Sequence, residues 1–469
     1  MTEQEYEIGM VGLGVMGRNL VLNIADHGYS VGGYDKDRSQ IQQLQTEAGS
    51  RAVTAMPSPE EFIRSLAKPR AIMLLVPAGQ IVDSVIRELL PHLENGDLII
   101  DAGNSHFKDT DLRAKSLAEK GILYMGVGVS GGEQGARHGP SLMPGGPQEA
   151  YERIRPIFEA VAAQVGGAPC VTYLGPGSAG HYVKMVHNGI EYGLMQLIAE
   201  SYDLMKRGLG LTDQELSVVY GKWNESELNG YLMEITSRIF TRVDERTGKQ
   251  LVDVILDEAK QKGTGMWTSQ DAMDIQVPTP VIDAAVVARN LSALKSDREA
   301  ASQHIKVRTS HFKGDRSAIL TQLKNAMHTS MIVTYAQGMA QLRSASKVYE
   351  YNLNLEDVAR IWRGGCIIRA ALLEDIQAAY HADPDLPNLL MDSHLGKVVL
   401  TGQKDLRKVV GLAGKLGLPV PCLMASLAYF DGYRSAWLPA NLIQAQRDDF
   451  GAHTYERVDA KGVFHTRWE

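Results

Sequence analysis

Four polar side chains recur at helical spacing within the stretch Val183–Tyr192, namely Lys184, His187, Asn188 and Glu191. The apolar residues between them repeat at the same spacing and no proline interrupts, which predicts a helix. At about 100° per residue, the four polar residues fall within an arc of roughly 100°. Lys184 and Glu191 are two turns apart, about 10 Å along the helix axis. A small polar molecule could therefore lie between an amine and a carboxyl.

A plainer interpretation of this polar stripe is a solvated helix face or an i,i+4 support network. Two observations argue against it. His187 and Asn188 have low helix propensity and are poor choices for an exposed helix face. The stretch also begins just after the end of a predicted nucleotide-binding domain.

That domain is indicated by a glycine-rich turn near the N terminus. A short apolar strand, Glu7 to Val11, leads into Gly12-Leu13-Gly14-Val15-Met16-Gly17, and a helix follows. In a G-x-G-x-x-G turn the glycines permit a tight turn, close approach of a pyrophosphate, and close packing of helix on strand. The helix N terminus offers free N–H groups to the phosphates. Because a second strand, Tyr29 to Tyr34, follows in order, the context favours a dinucleotide site.

Asp35 ends that second strand, 18 residues after Gly17, near the spacing of a ribose-binding acid. A carboxylate there can accept hydrogen bonds from both adenosine ribose hydroxyls and would repel a 2′-phosphate. Lys36 or Arg38 could still pair with a phosphate. The sequence therefore favours NAD, with NADP as the alternative.

Two further apolar strands, Ala71 to Val76 and Asp97 to Asp101, continue the pattern of a doubly wound parallel sheet. Ligands of such sheets bind at the carboxyl ends of the strands. Val76, Ala78 and Asn104 are therefore candidate cofactor contacts.

The strand Tyr124 to Val129 leads into a glycine cluster, Ser130 to Ala136. Glycines at Gly131 and Gly132 would let the backbone close on a substrate and present amides to a carboxylate. The alternative is a plain flexible turn.

The breaker cluster Gly175–Gly180 marks a domain boundary, after which helical periodicity dominates. We expect a dinucleotide-binding Rossmann domain over residues 1–177, an all-helical substrate and dimerisation domain over 178–438, and a C-terminal tail over 439–469. A faint repeat at an offset of about 140 residues suggests two related helical halves. In the second half, Met327 replaces Lys184 and Thr334 replaces Glu191. The packing pattern is kept without the polar stripe, so folding does not require the stripe.

Two features suit a small anion. The stretch Gln261 to Trp267 is predicted to be a glycine-bracketed loop that carries Lys262 and Thr264. Arg289, in the predicted helix Ala284 to Leu294, is either a surface charge or an anion clamp.

Composition excludes several other classes of protein. The 469 residues exceed one ordinary core, and the formal net charge of -7 argues against a nucleic-acid partner. Three isolated cysteines fit a reducing cytosol rather than a disulfide framework. No signal peptide, membrane span or metal site is expected, so the prediction is a cytoplasmic protein. In the tail, a helix is predicted to stop at Gly451, and the last residues should pack on something else, such as a second subunit.

Taken together, the chain resembles 6-phosphogluconate dehydrogenase (decarboxylating) over nearly its whole length. The stretches that carry the resemblance are Gly12 to Gly17, Asp101 to Ser105, Gly128 to Gly132, Lys184 to Tyr192, Lys262 to Gly265, and Ala440 to Tyr455. The resemblance implies conversion of 6-phospho-D-gluconate to D-ribulose 5-phosphate and CO₂ with reduction of NAD(P)⁺, in the pentose phosphate pathway. It also implies a homodimer in which each tail reaches the active site of the partner.

By resemblance, Lys184 is the general base for the substrate C3 hydroxyl, and Glu191 is the acid that protonates C1 of the enediol. The residues implied to hold the carboxylate and hydroxyls are Asn104, Ser130, Gly131, Gly132, His187 and Asn188. Those implied to hold the phosphate are Tyr192, Lys262, Thr264 and Arg289, with Arg447 and His453 supplied by the other subunit.

The main departure from the family pattern is Asp35-Lys36-Asp37, where NADP-using members resemble one another in having Asn-Arg-Ser/Thr. Two other functions fit part of this pattern. One is another β-hydroxyacid dehydrogenase acting on an unphosphorylated acid, which would not need Lys262, Arg289, Arg447 and His453 together. The other is a nucleotide-sensing binding protein, which would tolerate loss of Lys184.

Overall fold

A computed structural model describes residues 5–306 and 312–468 of the chain. Met1–Gln4, which the predicted first domain includes, and Glu469, the end of the predicted tail, lie outside the described residues. The strands are β1 (Ile8–Val11), β2 (Val31–Tyr34), β3 (Val53–Met56), β4 (Ala71–Leu74), β5 (Leu98–Asp101), β6 (Leu123–Ser130), β7 (Ser141–Gly145), β8 (Gln164–Val165), β9 (Ala168–Pro169), β10 (Tyr455–Glu456) and β11 (Val463–Phe464).

The helices fall into two groups along the chain. Those of the first part are α1 (Val15–Asp26), α2 (Arg38–Ala48), α3 (Pro59–Arg64), α4 (Gln80–Leu89), α5 (Phe107–Ala118), α6 (Gly132–His138) and α7 (Gln148–Val161). Those of the second part are α8 (Ala179–Asp203), α9 (Asp213–Asn224), α10 (Tyr231–Ile239), α11 (Thr264–Asp274), α12 (Pro280–Ser292), α13 (Lys295–His304), α14 (Arg316–Val348), α15 (Leu355–Trp362), α16 (Leu372–Ala382), α17 (Leu395–Leu416), α18 (Pro421–Tyr433) and α19 (Ala440–Gly451).

The first part is a seven-stranded sheet in the order β3-β2-β1-β4-β5-β6-β7. The first six strands in this order are parallel, and β7 pairs with β6 antiparallel. The chain reverses its direction across the sheet between β1 and β4, which is where a doubly wound sheet binds dinucleotides. Separate apolar cores cover the two faces of the sheet, so the central strands are buried on both sides. The predicted fold class is confirmed.

The second part is helical and has its own large apolar core. Most residues of its helix α8 are buried, and this helix packs on α11, α12, α14 and α18 and also on β6 and β7 of the sheet. Within residues 5–306 and 312–468, no helix combines the length and the apolar character needed to cross a membrane.

The order of elements agrees with the predicted duplication. In each half a long helix, α8 or α14, is followed by a helix that contains a buried tryptophan, Trp223 or Trp362. One more helix, α10 or α16, comes next. Gly230 and Ala370, which occupy corresponding places in the two halves, form an antiparallel bridge with one another.

The structure corrects several predicted boundaries. The stretch 261–267 was predicted to be a loop, but α11 begins at Thr264, and α6 begins at Gly132 within the glycine cluster 130–136. In both cases the glycine before the helix has a positive φ, +117° at Gly131 and +98° at Gly263, so these glycines start helices. The helix predicted from Ala284 spans Pro280–Ser292 instead, because a proline at its first position begins it earlier.

Candidate active site

The polar stripe of α8 is buried where the helical part meets the sheet. Lys184 is 6% exposed and His187 is fully buried. A Cβ added at Gly128 of β6 would lie 2.3 Å from Cβ of Lys184, so the missing side chain at Gly128 makes room for the lysine. The interpretation of the stripe as a solvated face is therefore wrong.

The environment of Lys184 favours its neutral form. Burial lowers the pKa of the Lys184 ammonium, and the nearby carboxyl of Glu191 and thiol of Cys366 oppose this shift. Desolvation penalises the charged form of any amine in this way. An amine with a lowered pKa is a better proton acceptor near neutral pH, because more of it is unprotonated.

His187 connects α8 to the end of β6. Its Nε2 lies 3.3 Å from Oγ of Ser130, and its Nδ1 lies 3.0 Å from Oδ1 of Asn188. Burial and the nearby Lys184 hold the pKa of His187 well below its usual range, so the ring is neutral. With Asn188 Oδ1 as acceptor, Nδ1 carries the proton and Nε2 accepts from the Ser130 hydroxyl. The three side chains form one neutral polar cluster beside Lys184.

Glu191 lies at the edge of the same site. Its side chain is 21% exposed, and one carboxyl oxygen lies 3.8 Å from Nδ1 of His187. Burial raises the pKa of the Glu191 carboxyl, while Lys184 and Arg289 act in the opposite direction. A raised pKa keeps more of this carboxyl protonated near neutral pH, which is the state that a proton donor requires.

A cationic corner lies beyond Glu191. The guanidinium of Arg289 stacks 3.4 Å above the ring of Tyr192, and burial lowers the pKa of Arg289. The first residue of α11, Thr264, is buried. A Cβ at Gly265 would meet the Tyr192 ring at 2.3 Å, so this glycine lets the N terminus of α11 lie against Tyr192. A helix N terminus next to an arginine suits a phosphate.

The remaining predicted member of this corner, Lys262, precedes α11 and is exposed.

The dinucleotide cleft has the geometry that its glycines require. A Cβ at Gly12, where φ is +95°, would lie 2.5 Å from the Leu75 carbonyl oxygen, and one at Gly17 would lie 1.9 Å from the Gly12 carbonyl oxygen. Gly14 has open space where a Cβ would be, and it precedes α1 without any side-chain cap on the helix. The first amides of α1 are therefore free to bind a pyrophosphate, and the residues present fit a dinucleotide.

Other predicted cofactor residues lie around this cleft. Gly12, Gly14, Asp35 and Val76 line it. Val15, Met16 and Ala78 are partly or fully exposed nearby in sequence. Leu13 is fully buried in the core of the sheet domain, so only its backbone faces the turn.

Asp35 also braces the glycine turn. Its Oδ2 accepts a hydrogen bond from the Leu13 amide at 2.7 Å, and its Oδ1 accepts one from the Asp37 amide at 2.9 Å. The neighbouring Lys36 forms an ion pair with Glu88 at 2.8 Å. Each carboxylate oxygen of Asp35 can still accept a second hydrogen bond.

Asn104 is exposed in the loop after β5, and a buried network beneath it fixes that loop. Asp101, fully buried, accepts hydrogen bonds from Ser105 and Tyr124. Arg113 donates to Ser105 and also to the Gly79 carbonyl in the loop after β4. Arg113 therefore joins the two loops that carry the predicted cofactor contacts. The sequence analysis missed this arginine, because nothing in the spacing of α5 distinguishes it from a surface charge.

The tail is the part of the predicted site that one chain does not bring together. Arg447 and His453 are exposed. Among the described residues, the hydrogen bonds of residues 439–468 all join residues of this segment to one another. Several large apolar side chains around the helix α19 are at least half exposed, namely Trp437, Leu438, Leu442, Ile443 and Phe450.

This arrangement can move protons on a bound polyhydroxy acid next to a dinucleotide. Lys184 is a buried amine with a lowered pKa, and Glu191 is a carboxyl with a raised pKa on the same helix face. Pairs of groups whose environments shift their pKa values in this way are typical of acid–base sites.

Comparison with known proteins agrees with the geometry. Residues 7–175 match the family described as the NAD binding domain of 6-phosphogluconate dehydrogenase, and residues 180–468 match the 6-phosphogluconate dehydrogenase C-terminal domain. The chain is 53% identical over 465 residues to 6-phosphogluconate dehydrogenase, NADP(+)-dependent, decarboxylating, of Bacillus subtilis (strain 168), covering 99% of each chain. It is 50% identical over 465 residues to 6-phosphogluconate dehydrogenase, decarboxylating, of Escherichia coli (strain K12), covering 99% of each.

A solved structure is similar over the same extent. Plasmodium falciparum 6-phosphogluconate dehydrogenase, studied in its apo form and in complex with NADP+ or 6-phosphogluconate, superposes with a TM-score of 0.95. That protein is 46% identical in sequence, and the match covers 98% of this chain and all of the other. Both family regions match, and a relative is 53% identical over 99% of each chain. The chain therefore belongs to the 6-phosphogluconate dehydrogenase family.

Proposed function

We propose that the protein catalyses oxidative decarboxylation of 6-phospho-D-gluconate to D-ribulose 5-phosphate and CO₂, with reduction of NAD(P)⁺. The observation that carries the proposal is the buried Lys184, with its lowered pKa, on the same helix face as Glu191. Both lie between a dinucleotide cleft and a cationic corner. An acid that carries a phosphate at its far end fits a site of this shape.

In the first step, Lys184 accepts the proton of the substrate C3 hydroxyl. The dinucleotide that the turn Gly12–Gly17 and Asp35 would hold would supply the acceptor for the hydride of C3. Lys184 can take the proton more readily than an exposed lysine, because burial lowers its pKa and leaves more of the amine unprotonated. The contact with Gly128 fixes the first carbons of its side chain. Lys184 acts as general base in this step.

In the second step, the 3-keto acid loses CO₂, and the electron pair of the broken C1–C2 bond passes through C2 toward the C3 oxygen. The protonated Lys184 stabilises the charge on that oxygen. Glu191 then protonates the carbon that has lost CO₂, which becomes C1 of the pentulose. Its raised pKa keeps the proton available for this transfer.

Two groups of residues hold the two ends of the substrate. We assign the carboxylate and hydroxyls to Asn104, Ser130, Gly131, Gly132, His187 and Asn188. We assign the phosphate to Tyr192, Lys262, Thr264 and Arg289, completed by Arg447 and His453 of a second subunit. The Arg289 guanidinium over Tyr192 supports the second assignment, because this stacking holds the cation in one orientation.

For the cofactor, we propose NAD as the preferred dinucleotide. The argument is the negative charge of Asp35 at the end of β2, together with the engagement of Lys36 by Glu88. The Bacillus subtilis relative carries the words NADP(+)-dependent in its name, so NADP is the competing proposal. Steady-state kinetics with each dinucleotide in turn decide between them, and a KM for NADP well below that for NAD would refute the preference.

For assembly, we propose a homodimer in which the tail, residues 439–469, reaches the active site of the other subunit. Support comes from the exposed apolar side chains of the tail and from its lack of hydrogen bonds to the rest of the described chain. We propose the domain limits 1–177, 178–438 and 439–469 on the same basis. Truncation before Ala440 should abolish high affinity for the phosphorylated substrate. A truncated chain with normal affinity would contradict tail exchange.

The direct test of the activity is a turnover assay with 6-phosphogluconate and, in parallel, with unphosphorylated gluconate. We expect release of CO₂ and reduced dinucleotide from the phosphorylated acid, with a much higher kcat/KM. Equal activity on both acids would instead identify a β-hydroxyacid dehydrogenase that makes no use of the cationic corner.

A further inference from the structure

The tail segment Ala440–Trp468 has a polar centre rather than an apolar one. Asp448, in the last turn of α19, is fully buried, while every other described side chain of this segment is partly or fully exposed. None of the apolar cores of the molecule includes a residue of this segment. Something other than hydrophobic burial therefore holds the segment in its shape.

The carboxylate of Asp448 accepts four hydrogen bonds from the segment that follows it. Its Oδ1 accepts from the Thr454 amide at 3.0 Å and from Nδ1 of His465 at 2.9 Å. Its Oδ2 accepts from the Thr466 amide at 3.0 Å and from Nε1 of Trp468 at 3.0 Å. These bonds join the end of α19 to the turn after it and to the residues that follow strand β11. One carboxylate thus holds three separate pieces of the tail together.

Two of the pieces carry the residues assigned to the phosphate. Arg447 directly precedes Asp448, and His453 directly precedes Thr454. The turn around His453 has unfavourable backbone geometry, because Ala452 and Thr454 both have positive φ, +50° and +61°. Non-glycine residues adopt this conformation only when their surroundings hold them there. The hydrogen bond from the Thr454 amide to Asp448 supplies such a restraint.

We propose that Asp448 is a positioning residue, which pre-organises the tail so that Arg447 and His453 reach the phosphate of the substrate in the partner subunit. This inference rests on the proposed tail exchange. Pre-organisation matters here because ordering a loose segment on binding would weaken the affinity for the phosphate.

The charge state of Asp448 suits this role. Desolvation works against ionisation, but the hydrogen bonds from Thr466, His465 and Trp468 outweigh it and hold the pKa of Asp448 at about 2. The carboxylate therefore accepts all four bonds throughout the neutral pH range. An asparagine in its place would turn an NH₂ group toward two of the four donors.

The test compares Asp448→Asn with Asp449→Asn, which removes the same charge from the next, exposed residue of α19. For Asp448→Asn we expect KM for 6-phosphogluconate to rise about 10- to 100-fold, since bonds to a charged group are lost. Competitive inhibition by inorganic phosphate should weaken in parallel, and kcat should change less. Asp449→Asn should stay within about twofold of the unchanged protein, because no ordering bond is removed.

A double-mutant cycle with Arg447→Ala separates this inference from the proposal beneath it. If Asp448 acts through Arg447 and His453, Asp448→Asn should raise KM clearly less in the Arg447→Ala background, and should add little once His453→Ala is also present. Independent, multiplying effects would overturn the positioning role, and so would a normal KM in Asp448→Asn. An unchanged KM in Arg447→Ala would instead refute the assignment of the tail to the phosphate. If Asp448→Asn no longer forms the dimer in sedimentation, Trp468→Phe provides a second test, because it removes only one of the four donors. Trp468→Phe should keep the dimer and give a smaller rise in KM. No rise in KM would refute the positioning role.

Discussion

Substitution of Gly128 by alanine tests whether the fit between β6 and α8 sets the position of Lys184. The added methyl would lie 2.3 Å from Cβ of Lys184 and 2.8 Å from its Cγ. Carbon atoms in contact lie about 3.5–4.0 Å apart, so the lysine must retreat by more than about 1 Å. A misplacement of about 1 Å costs about 100-fold in rate, or about 2.7 kcal/mol of transition-state stabilisation. We expect kcat to fall by about this factor.

The measurement is steady-state turnover of 6-phosphogluconate at saturating dinucleotide, combined with denaturant unfolding. The matched control is Gly9→Ala in β1. Its methyl would lie 2.6 Å from the ring of Phe62, in an apolar core of the nucleotide domain that contains no residue of the polar stripe of α8. Both substitutions overpack a buried strand and should destabilise the fold by about 1–3 kcal/mol. Only Gly128→Ala should lose turnover in the folded protein. Equal kcat values for the two variants would refute the argument that the spacing at Gly128 positions the base.

Three further predictions concern single groups of the site. Lys184→Met should lower kcat by at least about 10²–10⁴-fold while fluorescence titration shows unchanged dinucleotide binding, and near-normal turnover would remove Lys184 from the reaction. In Glu191→Gln the residual rate should rise with pH and then level off, since Lys184 remains as the titrating group and must lose its proton. A bell-shaped pH–rate profile in that variant would mean that a group other than Glu191 donates the proton. Asp35→Asn should raise the ratio of kcat/KM for NADP to that for NAD by about tenfold or more, because a repulsive charge is removed, and an unchanged ratio would contradict the role of Asp35.

The dinucleotide domain was predictable because its signals are local. The turn Gly12–Gly17 lies directly between a strand and a helix. Gly12 and Gly17 are required by contacts with the Leu75 carbonyl oxygen and within the turn itself, while Gly14 leaves open space. Asp35 follows at the end of β2, where its carboxylate meets the Leu13 amide of that same turn. In such a sheet the turn after the first strand and the end of the second strand meet at the same edge, so the spacing of these residues predicts the arrangement.

The helix stripe was only half predictable. Helical periodicity predicts that Lys184 and Glu191 share a face of the helix, but it does not predict which residues cover that face. Lys184 is covered in part by Gly128, more than 50 residues earlier in the chain. The thiol of Cys366, far later in the chain, is close enough to act on the pKa of the lysine. The alternation Gly126-Val127-Gly128 in a buried strand was the available signal, since glycine inside a strand marks close approach of another element.

The tail and the two glycine clusters were not predictable in detail for a different reason. The cluster 130–136 was interpreted as backbone that closes on a substrate, or as a flexible turn, and 261–267 as a loop, whereas Gly131 and Gly263 use a positive φ to start helices. In the tail, Asp448 takes its partners from residues 6 to 20 positions later, through amides and ring nitrogens with no periodicity. A pattern search for apolar repeats has nothing to detect in such a segment.

The junction between the two domains restricts how the protein can move during its reaction. Lys184 belongs to the helical domain, but the sheet domain contributes to its burial. Around it the two domains are in very close contact, since a Cβ at Gly180 would lie 2.3 Å from the Gly126 carbonyl oxygen. His181 also bonds the Asp101 carbonyl at 3.0 Å, at the base of the Asn104 loop. A hinge opening here would admit water to the amine and return its pKa toward that of an ordinary lysine, so less of the base would be unprotonated. We therefore expect substrate to enter by movement elsewhere, because the contact that positions the lysine also lowers its pKa.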